Sequence, residues 1–458
     1  MTRKTLKPLI KAAMTALAIV AAPLAAQAET LADALVSAYR NSNLLEQNRA
    51  TLRAADEDVA GAVAALRPVL QWAADYKYSR LDANPNADHR TASLTLAASM
   101  TLFDFGRNRL AIDMQKETVL ATREALRAVE QDVLLSAVSA YTAVKSSAER
   151  VAINENSVRV IAEELKAAQD RFEVGEVTKT DVSQAEASLA AARASLAAAR
   201  GEYQVAREAY KAAVGHYPGA LAGLPKAPAL PKSLDAARAT AQRNHPNVKQ
   251  LQHNVTLSEL GIRAAAAERL PQVTGSVGLS QQEGGYTTRT AGIEMSQTLY
   301  SGGALSAAHR RAIANRDGTR AALSQAGLSV AEGTAQAWAQ IDVYRAQIRA
   351  YSEQIQAAQI AYDGVKEEAT LGARTTLDVL DAEQNLLDAR ASRINAEADL
   401  QVAYYQLLSA MGLLTVEDLK LGIPTYDPAA YYNAVRNAPS TSVQGESLDR
   451  VLRAIGKP

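Results

Sequence analysis

The strongest constraint on this chain is that most of it is written twice. The stretch TLFDFG at residues 101–106 reappears as TLYSGG at 298–303, an offset of 197 (298 − 101) that needs no gap over a long span. Gly175 falls on Gly372, Asp181 and Val182 on Asp378 and Val379, Ala185 and Glu186 on Ala382 and Glu383, and Gly215 on Gly412. Upstream of these the offset is 203 (271 − 68), with Arg40 and Asn41 on Arg243 and Asn244 and Pro68 on Pro271. The difference is absorbed by two turn-rich stretches, SRLDANPNADHR (79–90) and the shorter QQEGGYTTR (281–289). Whatever one copy folds into, the other must also form, so the chain reads as two repeats.

Each repeat reads as helix, strand, loop, strand, long helix, turn, helix. The strands carry a period of two. Leu70, Trp72, Ala74, Tyr76 and Tyr78 alternate with Val69, Gln71, Ala73, Asp75 and Lys77, and Ala92, Leu94, Leu96, Ala98, Met100 and Leu102 with Ser93, Thr95, Ala97, Ser99 and Thr101. Val273, Val277 and Leu279, and then Ala291, Ile293, Met295 and Leu299, repeat the pattern in the second copy. A single hairpin of this kind ordinarily rests one face on a soluble core. Four such strands in two hairpins, with Trp72, Tyr76, Tyr78, Phe103, Phe105, Tyr286 and Tyr300 in or beside them, point instead to an outer-membrane barrel wall with an interfacial aromatic belt. Four strands are too few to close a barrel, and an open sheet edge in lipid leaves backbone groups unsatisfied, so several chains must share one barrel. Three copies supply twelve strands.

The helices imply an extended arrangement. Residues 107–171 hold neither proline nor glycine, enough for a rod on the order of 100 Å. The return leg, from Asp181 to about Gly215, is half as long, and so is the helix expected over 31–66. The return leg repeats a heptad, ASLAAARASLAAAR (187–200), which keeps one alanine-rich face on a partner and implies a coiled coil.

The start of the chain has the form of a secretory signal peptide: Arg3, Lys4, Lys7 and Lys11, the apolar run AAMTALAIVAAPLAA, and AQA before Glu29. Cleavage after Ala28 leaves 458 − 28 = 430 residues and a net charge of 45 − 49 = −4, which gives nucleic acid no general attraction. There is no cysteine, hence no disulfide, thiolate or lipid attachment through sulfur. Five histidines (His89, His216, His245, His253, His309) show no ligand spacing, and neither a nucleophile elbow nor a P-loop is present, so the chain reads as no enzyme and calls for no cofactor. The expected organisation is 1–28 signal peptide, 29–215 first repeat (strands about 69–103), 216–233 Pro/Gly-rich connector, 234–422 second repeat (strands about 271–300) and 423–458 a partly polar C-terminal segment, disordered toward its end.

One stretch stands out chemically. In GARTTLDVLDAEQ (372–384), Asp378 and Asp381 share a helix face three positions apart, where like charges repel. Such a pair suits a general acid and base, half a metal site, an electrostatic ring in an assembly, or an acidic helix N-terminus. Asp181 is the counterpart of Asp378, which favours a helix start in both copies. Asp381 and Arg374 align with Gln184 and Val177, so those charges belong to the second copy.

The signal peptide, the duplicated helix-and-hairpin pattern and the turns RFEVGEVTKTDV (171–182) and EATLGARTTLDVLDAEQ (368–384) together resemble the TolC family of outer-membrane efflux proteins, over about residues 31–422. The resemblance implies an α+β membrane protein. Two tandem repeats of long coiled-coil helices plus a β-hairpin assemble as a homotrimer into a 12-stranded barrel in the outer membrane and an α-helical tunnel in the periplasm. It implies an exit duct for efflux or type I secretion, opened by an inner-membrane transporter and a periplasmic adaptor, with outer-membrane lipid as a further partner. It makes Asp378 and Asp381 the acidic ring at the tunnel entrance and Arg374 the arginine of a closed-state latch whose acidic partner is Asp181. Val174, Gly175, Leu371 and Gly372 become the tips on which the adaptor docks. Where the family's best-known members have a latch tyrosine this chain has Ala369, which implies a closed gate that is either looser or held by other contacts. The rival reading is a soluble periplasmic coiled-coil scaffold or adaptor, which accounts for the helices but not for the strands.

Overall fold

The computed structural model describes residues 28–80 and 88–439; the expected signal peptide, up to residue 27, and the expected disordered end of the C-terminal segment lie outside these. The first copy forms α1 (Leu31–Asn41), α2 (Asn43–Ala64), β1 (Val69–Arg80), β2 (Asp88–Phe103), α3 (Arg107–Glu173) and α4 (Lys179–Val214). The second repeats the order as α5 (Leu234–Asn244), α6 (Pro246–Ala267), β3 (Gln272–Gln282), β4 (Thr287–Ser296), α7 (Ala304–Thr370) and α8 (Thr376–Ala410), followed by α9 (Pro428–Val435). The two compact units do not follow the copies. Of the described residues, one holds those up to 41, 136–228 and 344–402, and the other those of 42–135, 229–343 and from 403 on.

The four strands form one antiparallel sheet in the order β1-β2-β3-β4. Its register sets Trp72 opposite Leu96, Leu96 opposite Leu279, Ala98 opposite Val277, and Val277 opposite Ala291. Directly paired residues share a face, so the apolar sets of all four strands meet on one side. Gln71, Thr95, Ser99, Ser276, Thr290 and Glu294 occupy the other. The apolar side is bare in the single chain: Leu70, Trp72, Tyr76, Ile293 and Met295 are each about two-thirds to three-quarters exposed.

Local details differ from the sequence reading. The fourth strand stops at Ser296, where the Gln297 side chain turns to donate to the Arg269 carbonyl (3.0 Å), and Leu299 and Tyr300 are 88% exposed beyond it. The expected helix over 31–66 is broken at Ser42, whose hydroxyl caps α2 by accepting from the Leu45 amide. The C-terminal segment holds a helix, α9, with Asp427 as its N-cap and proline in its first turn.

The heptad was informative beyond its two perfect repeats. Ala185, Leu189, Ala192, Leu196, Ala199, Tyr203, Ala206 and Tyr210 follow the four-three spacing of a coiled-coil seam, and each is buried or half-buried. Ile161 of α3 joins Ala185 and Leu189 in one apolar cluster. Arg150–Glu202 (2.6 Å) and Arg200–Glu155 (2.8 Å) bridge α3 and α4 beside it.

In both copies a glycine with positive φ lies against the end of the first short helix, though it meets different atoms there. Gly215, with φ +100°, lies against Asn41, whose side-chain amide donates to the Val214 carbonyl at 3.0 Å. Gly412, with φ +74°, lies against the Asn244 carbonyl, 2.6 Å from where a Cβ would stand. A side chain at either position meets both the left-handed backbone penalty and a clash. At Gly215 the obstacle is a side chain, whereas at Gly412 it is backbone. Gly412→Ala is therefore expected to destabilise by about 2–4 kcal/mol and Gly215→Ala by about 1–2 kcal/mol in denaturant unfolding; losses in the reverse order would refute this account.

Candidate functional site

The turns closing the two long helical hairpins are the same construction made twice. In the first, the Glu176 amide donates to the Arg171 carbonyl (2.9 Å) and the Gly175 amide to that of Phe172 (3.0 Å). In the second, Ala373 donates to Glu368 (2.9 Å) and Gly372 to Ala369 (3.2 Å). These are Schellman closures, which require a left-handed residue at the position after the helix; Gly175 (φ +83°) and Gly372 (φ +76°) supply it. Val174 and Leu371, just before the glycines, are 72% and 81% exposed. Both turns present an apolar side chain and a glycine to solvent.

The next helix begins in each case with a threonine and aspartate capping box. Asp181 Oδ2 accepts from the Thr178 amide and hydroxyl, both at 2.8 Å. Asp378 Oδ2 accepts from the Thr375 amide (2.9 Å) and hydroxyl (2.8 Å), while the Asp378 amide donates to Thr375 Oγ1 (3.3 Å). The threonine hydroxyl and amide hold both carboxyls below the usual carboxylate range. Because the folded form is the more acidic, this contribution is present above the ordinary carboxylate pKa and lost as the pH falls through it. Asp378 is thus a fixed charge at any ordinary pH and also the bolt of its own helix start. Asp381, one turn further, is exposed.

The remaining charges distinguish the tips. Arg374 Nε contacts Glu368 Oε2 at 2.8 Å, both side chains about half exposed. Within one chain Arg374 is therefore held by Glu368, and Asp181 by Thr178. The second tip (367–381) sets Glu367, Glu368, Asp378 and Asp381 against Arg374, whereas the matching residues of the first (170–184) mix Asp170, Glu173, Glu176 and Asp181 with Arg171 and Lys179.

A group that sequence reasoning did not single out joins the two hairpins. Lys366 Nζ lies 2.7 Å from Glu164 Oε1 and 3.4 Å from the Tyr362 hydroxyl, and the bond to Glu164 raises the lysine's pKa. Beside it, burial pushes Glu383 up, with Arg390 and Lys366 opposing. Ala369 is buried with Tyr362, Val379 and Leu386 and borders a cleft of about 240 Å³ lined also by Glu164, Arg171, Lys366 and Thr376. Tyr362, Lys366 and Ala369 are spaced four and three apart, so helical periodicity counted back from Ala369 was the available signal.

Elsewhere, His216 and His253 pair with Glu29 (3.1 Å) and Glu117 (2.9 Å), and His245 caps α6. Among the described residues no three His, Asp or Glu side chains are placed to hold a metal ion, and no helix is long and apolar enough to cross a membrane.

Thr375→Ala removes one cap hydroxyl, worth about 1 kcal/mol. Amide exchange in the first turn of α8 should quicken roughly five-fold, with the corresponding turn of α4 unchanged; equal exchange in both proteins would show that the box does not hold the tip.

The chain matches the family described as "Outer membrane efflux protein" over residues 34–216 and 237–413. It is 35% identical to the outer membrane efflux protein BepC of Brucella suis biovar 1 (strain 1330), covering 95% of this chain and 96% of that one. It is 27% identical to the outer membrane protein TolC of Escherichia coli (strain K12), over 92% and 90% of the two chains. Its fold superposes on the crystal structure of the outer membrane protein VceC from Vibrio cholerae with a TM-score of 0.71 at 22% identity, over 83% of this chain and 96% of that one.

Proposed function

This chain belongs to the outer membrane efflux protein family, an efflux and not an enzyme family, and from that membership we propose that three copies form a channel whose barrel lies in the outer membrane and whose helical tunnel lies in the periplasm. The observation that carries the reading is the unfinished sheet. Its strands are 12, 16, 11 and 10 residues long, and roughly 9–11 suffice to cross a bilayer when tilted. One face is apolar and bare, and β1 and β4 stand at its edges. Hydrocarbon forgives an apolar face but not an open edge, and joining β4 of one copy to β1 of the next removes every edge when three copies close on twelve strands. Lipid then covers the apolar face and water the polar one.

The tips then gather about one axis. Asp378 and Asp381 from three chains supply six carboxylates, a ring that selects cations and binds multivalent ones. Arg374 and Asp181 serve as the closed-state latch between neighbouring hairpins, with Glu368 competing for the arginine within the chain. Where the family's best-known members have a latch tyrosine, Ala369 leaves the cleft partly empty, and Lys366–Glu164 ties the hairpins beside it. Val174, Gly175, Leu371 and Gly372 form the surface on which a periplasmic adaptor docks, with an inner-membrane transporter supplying the energy. The repeats at 29–215 and 234–422 each contribute one hairpin and one pair of long helices to this plan.

Single-channel recording in a planar bilayer tests the ring. Wild-type pores should be cation-selective and blocked from the periplasmic side by a trivalent cation at micromolar concentration, and Asp378→Asn/Asp381→Asn should weaken the block at least ten-fold. A double variant blocked like wild type would remove these residues from the entrance. Docking has its own test. A side chain at Gly175 or Gly372 meets the left-handed backbone penalty of about 1–2 kcal/mol, but nothing lies within 4 Å of a Cβ placed there, so the strain stays local to an exposed turn and Gly175→Trp and Gly372→Trp should still yield trimers while export is abolished; normal export in both would sink the docking assignment.

A further inference from the structure

Asp56 on α2 is fully buried, and neither of its carboxylate oxygens has a hydrogen-bond partner. A carboxylate in that position carries the full cost of lost hydration. Its surroundings come from three elements. On α2 lie Arg49, Arg53 and Glu57; on α3, Arg123; on the C-terminal segment, Tyr426 and Tyr431. The segment is fastened over this spot by several contacts. Tyr426 and Tyr432 pack on Leu52, Val59 and Val119, and the Tyr431 hydroxyl donates to Glu57 at 2.6 Å. Arg49 stacks on Tyr426 (5.3 Å) and Arg123 on Tyr432 (5.4 Å). Arg67 donates to the carbonyls of Asn437 and Ala438.

The duplication supplies an internal comparison. At the offset of 203 that governs the helices before the strands (271 − 68), Asp56 corresponds to Glu259; at the offset of 197 that governs those after them (298 − 101), Arg123 corresponds to Arg320. In the second copy this acid and this arginine form a direct ion pair, 2.6 Å apart and about half exposed. In the first copy the acid is one methylene shorter, the arginine is stacked on Tyr432 of α9, and the acid is left buried without a hydrogen bond. The C-terminal segment occupies Arg123 and roofs over Asp56.

We propose that the C-terminal segment around α9 is a proton-dependent cover, seated when Asp56 is protonated and loosened when Asp56 ionises and draws Arg123 back into the pairing seen at Glu259 and Arg320. The direction follows from linkage. Under the cover, burial raises the Asp56 carboxyl to about 6, with Arg123 opposing and Glu57 adding. With the cover off, the acid is hydrated and beside a free guanidinium, so it titrates at or below the ordinary value of 3.8. Seating therefore takes up a proton between those limits, and the cover weakens as the pH rises toward 6 and stays weakened above it. A difference of about two pH units corresponds to a seating equilibrium that falls on the order of 100-fold. Glu57, which accepts from the Tyr431 hydroxyl, is the other carboxylate facing this spot, and the Asp56→Asn variant separates its response from that of Asp56.

Hydrogen exchange on the intact detergent-solubilised protein tests this. Peptides covering residues 426–436 should lose protection by at least ten-fold between pH 4.5 and 7.5 after correction for intrinsic exchange, while peptides from the middle of α4 stay constant. Asp56→Asn, which cannot ionise, should remove the pH dependence. Asp56→Glu restores the reach found at Glu259 and should lower protection of the segment at pH 7.5 relative to wild type; it also decides the matter should the asparagine variant fail to assemble. Protection in wild type that does not change with pH, an asparagine variant that follows the wild-type profile, or a glutamate variant as protected as wild type at pH 7.5 would each overturn the proposal.

Discussion

A sheet of four strands with a bare apolar face and a strand at each edge is the constraint around which this chain is organised. Backbone amides and carbonyls cost several kcal/mol each when left unpaired in hydrocarbon, whereas apolar side chains are at ease there. The strands satisfy the second condition within one chain and leave β1 and β4 as open edges, which the proposed twelve-stranded closure would pair. The register matters here because a slip of one residue would turn every apolar side chain to the opposite face. Pairing β2 with β3 across the two copies makes the apolar stripe continuous.

The helical part solves a different problem, which is to keep long rods in a single register without a bulky core. The seam of α4 alternates alanine with leucine or tyrosine. Small residues let the backbones approach and the larger ones set the phase. Asparagine and glycine fix where the rods are interrupted. Asn41 meets Gly215 and Asn244 meets Gly412, so the glycines serve both as left-handed helix ends and as clearance for a neighbouring chain segment.

At the tips the same economy appears. Asp378 was legible in the sequence as a helix start because Asp181 is its counterpart, and the capping boxes bear that out. A carboxylate held by its own threonine keeps a low pKa, so its capping duty is compatible with the ring proposed for it. Asp381, Glu368 and Arg374 carry no such local duty in common with the first copy. Their pattern breaks the duplication, and that asymmetry separates the two otherwise matching tips.

Elements whose cause is local were therefore readable in advance. Period-two strands, the heptad, the glycine turns and the threonine and aspartate caps each depend on neighbours within about seven residues, and the sequence alone determined them together with the duplication. Contacts between residues far apart in the chain were decided by tertiary structure. Counting could not say that Lys366 reaches Glu164, that the fourth strand ends at Ser296, or that residues 428–435 make a helix. Nor could it say that Arg320 closes on Glu259 while its counterpart Arg123 turns from Asp56 to a tyrosine. The physical reason is that an ion pair is chosen by distance and burial. In the first copy a C-terminal helix packs on α2 and α3 and changes both.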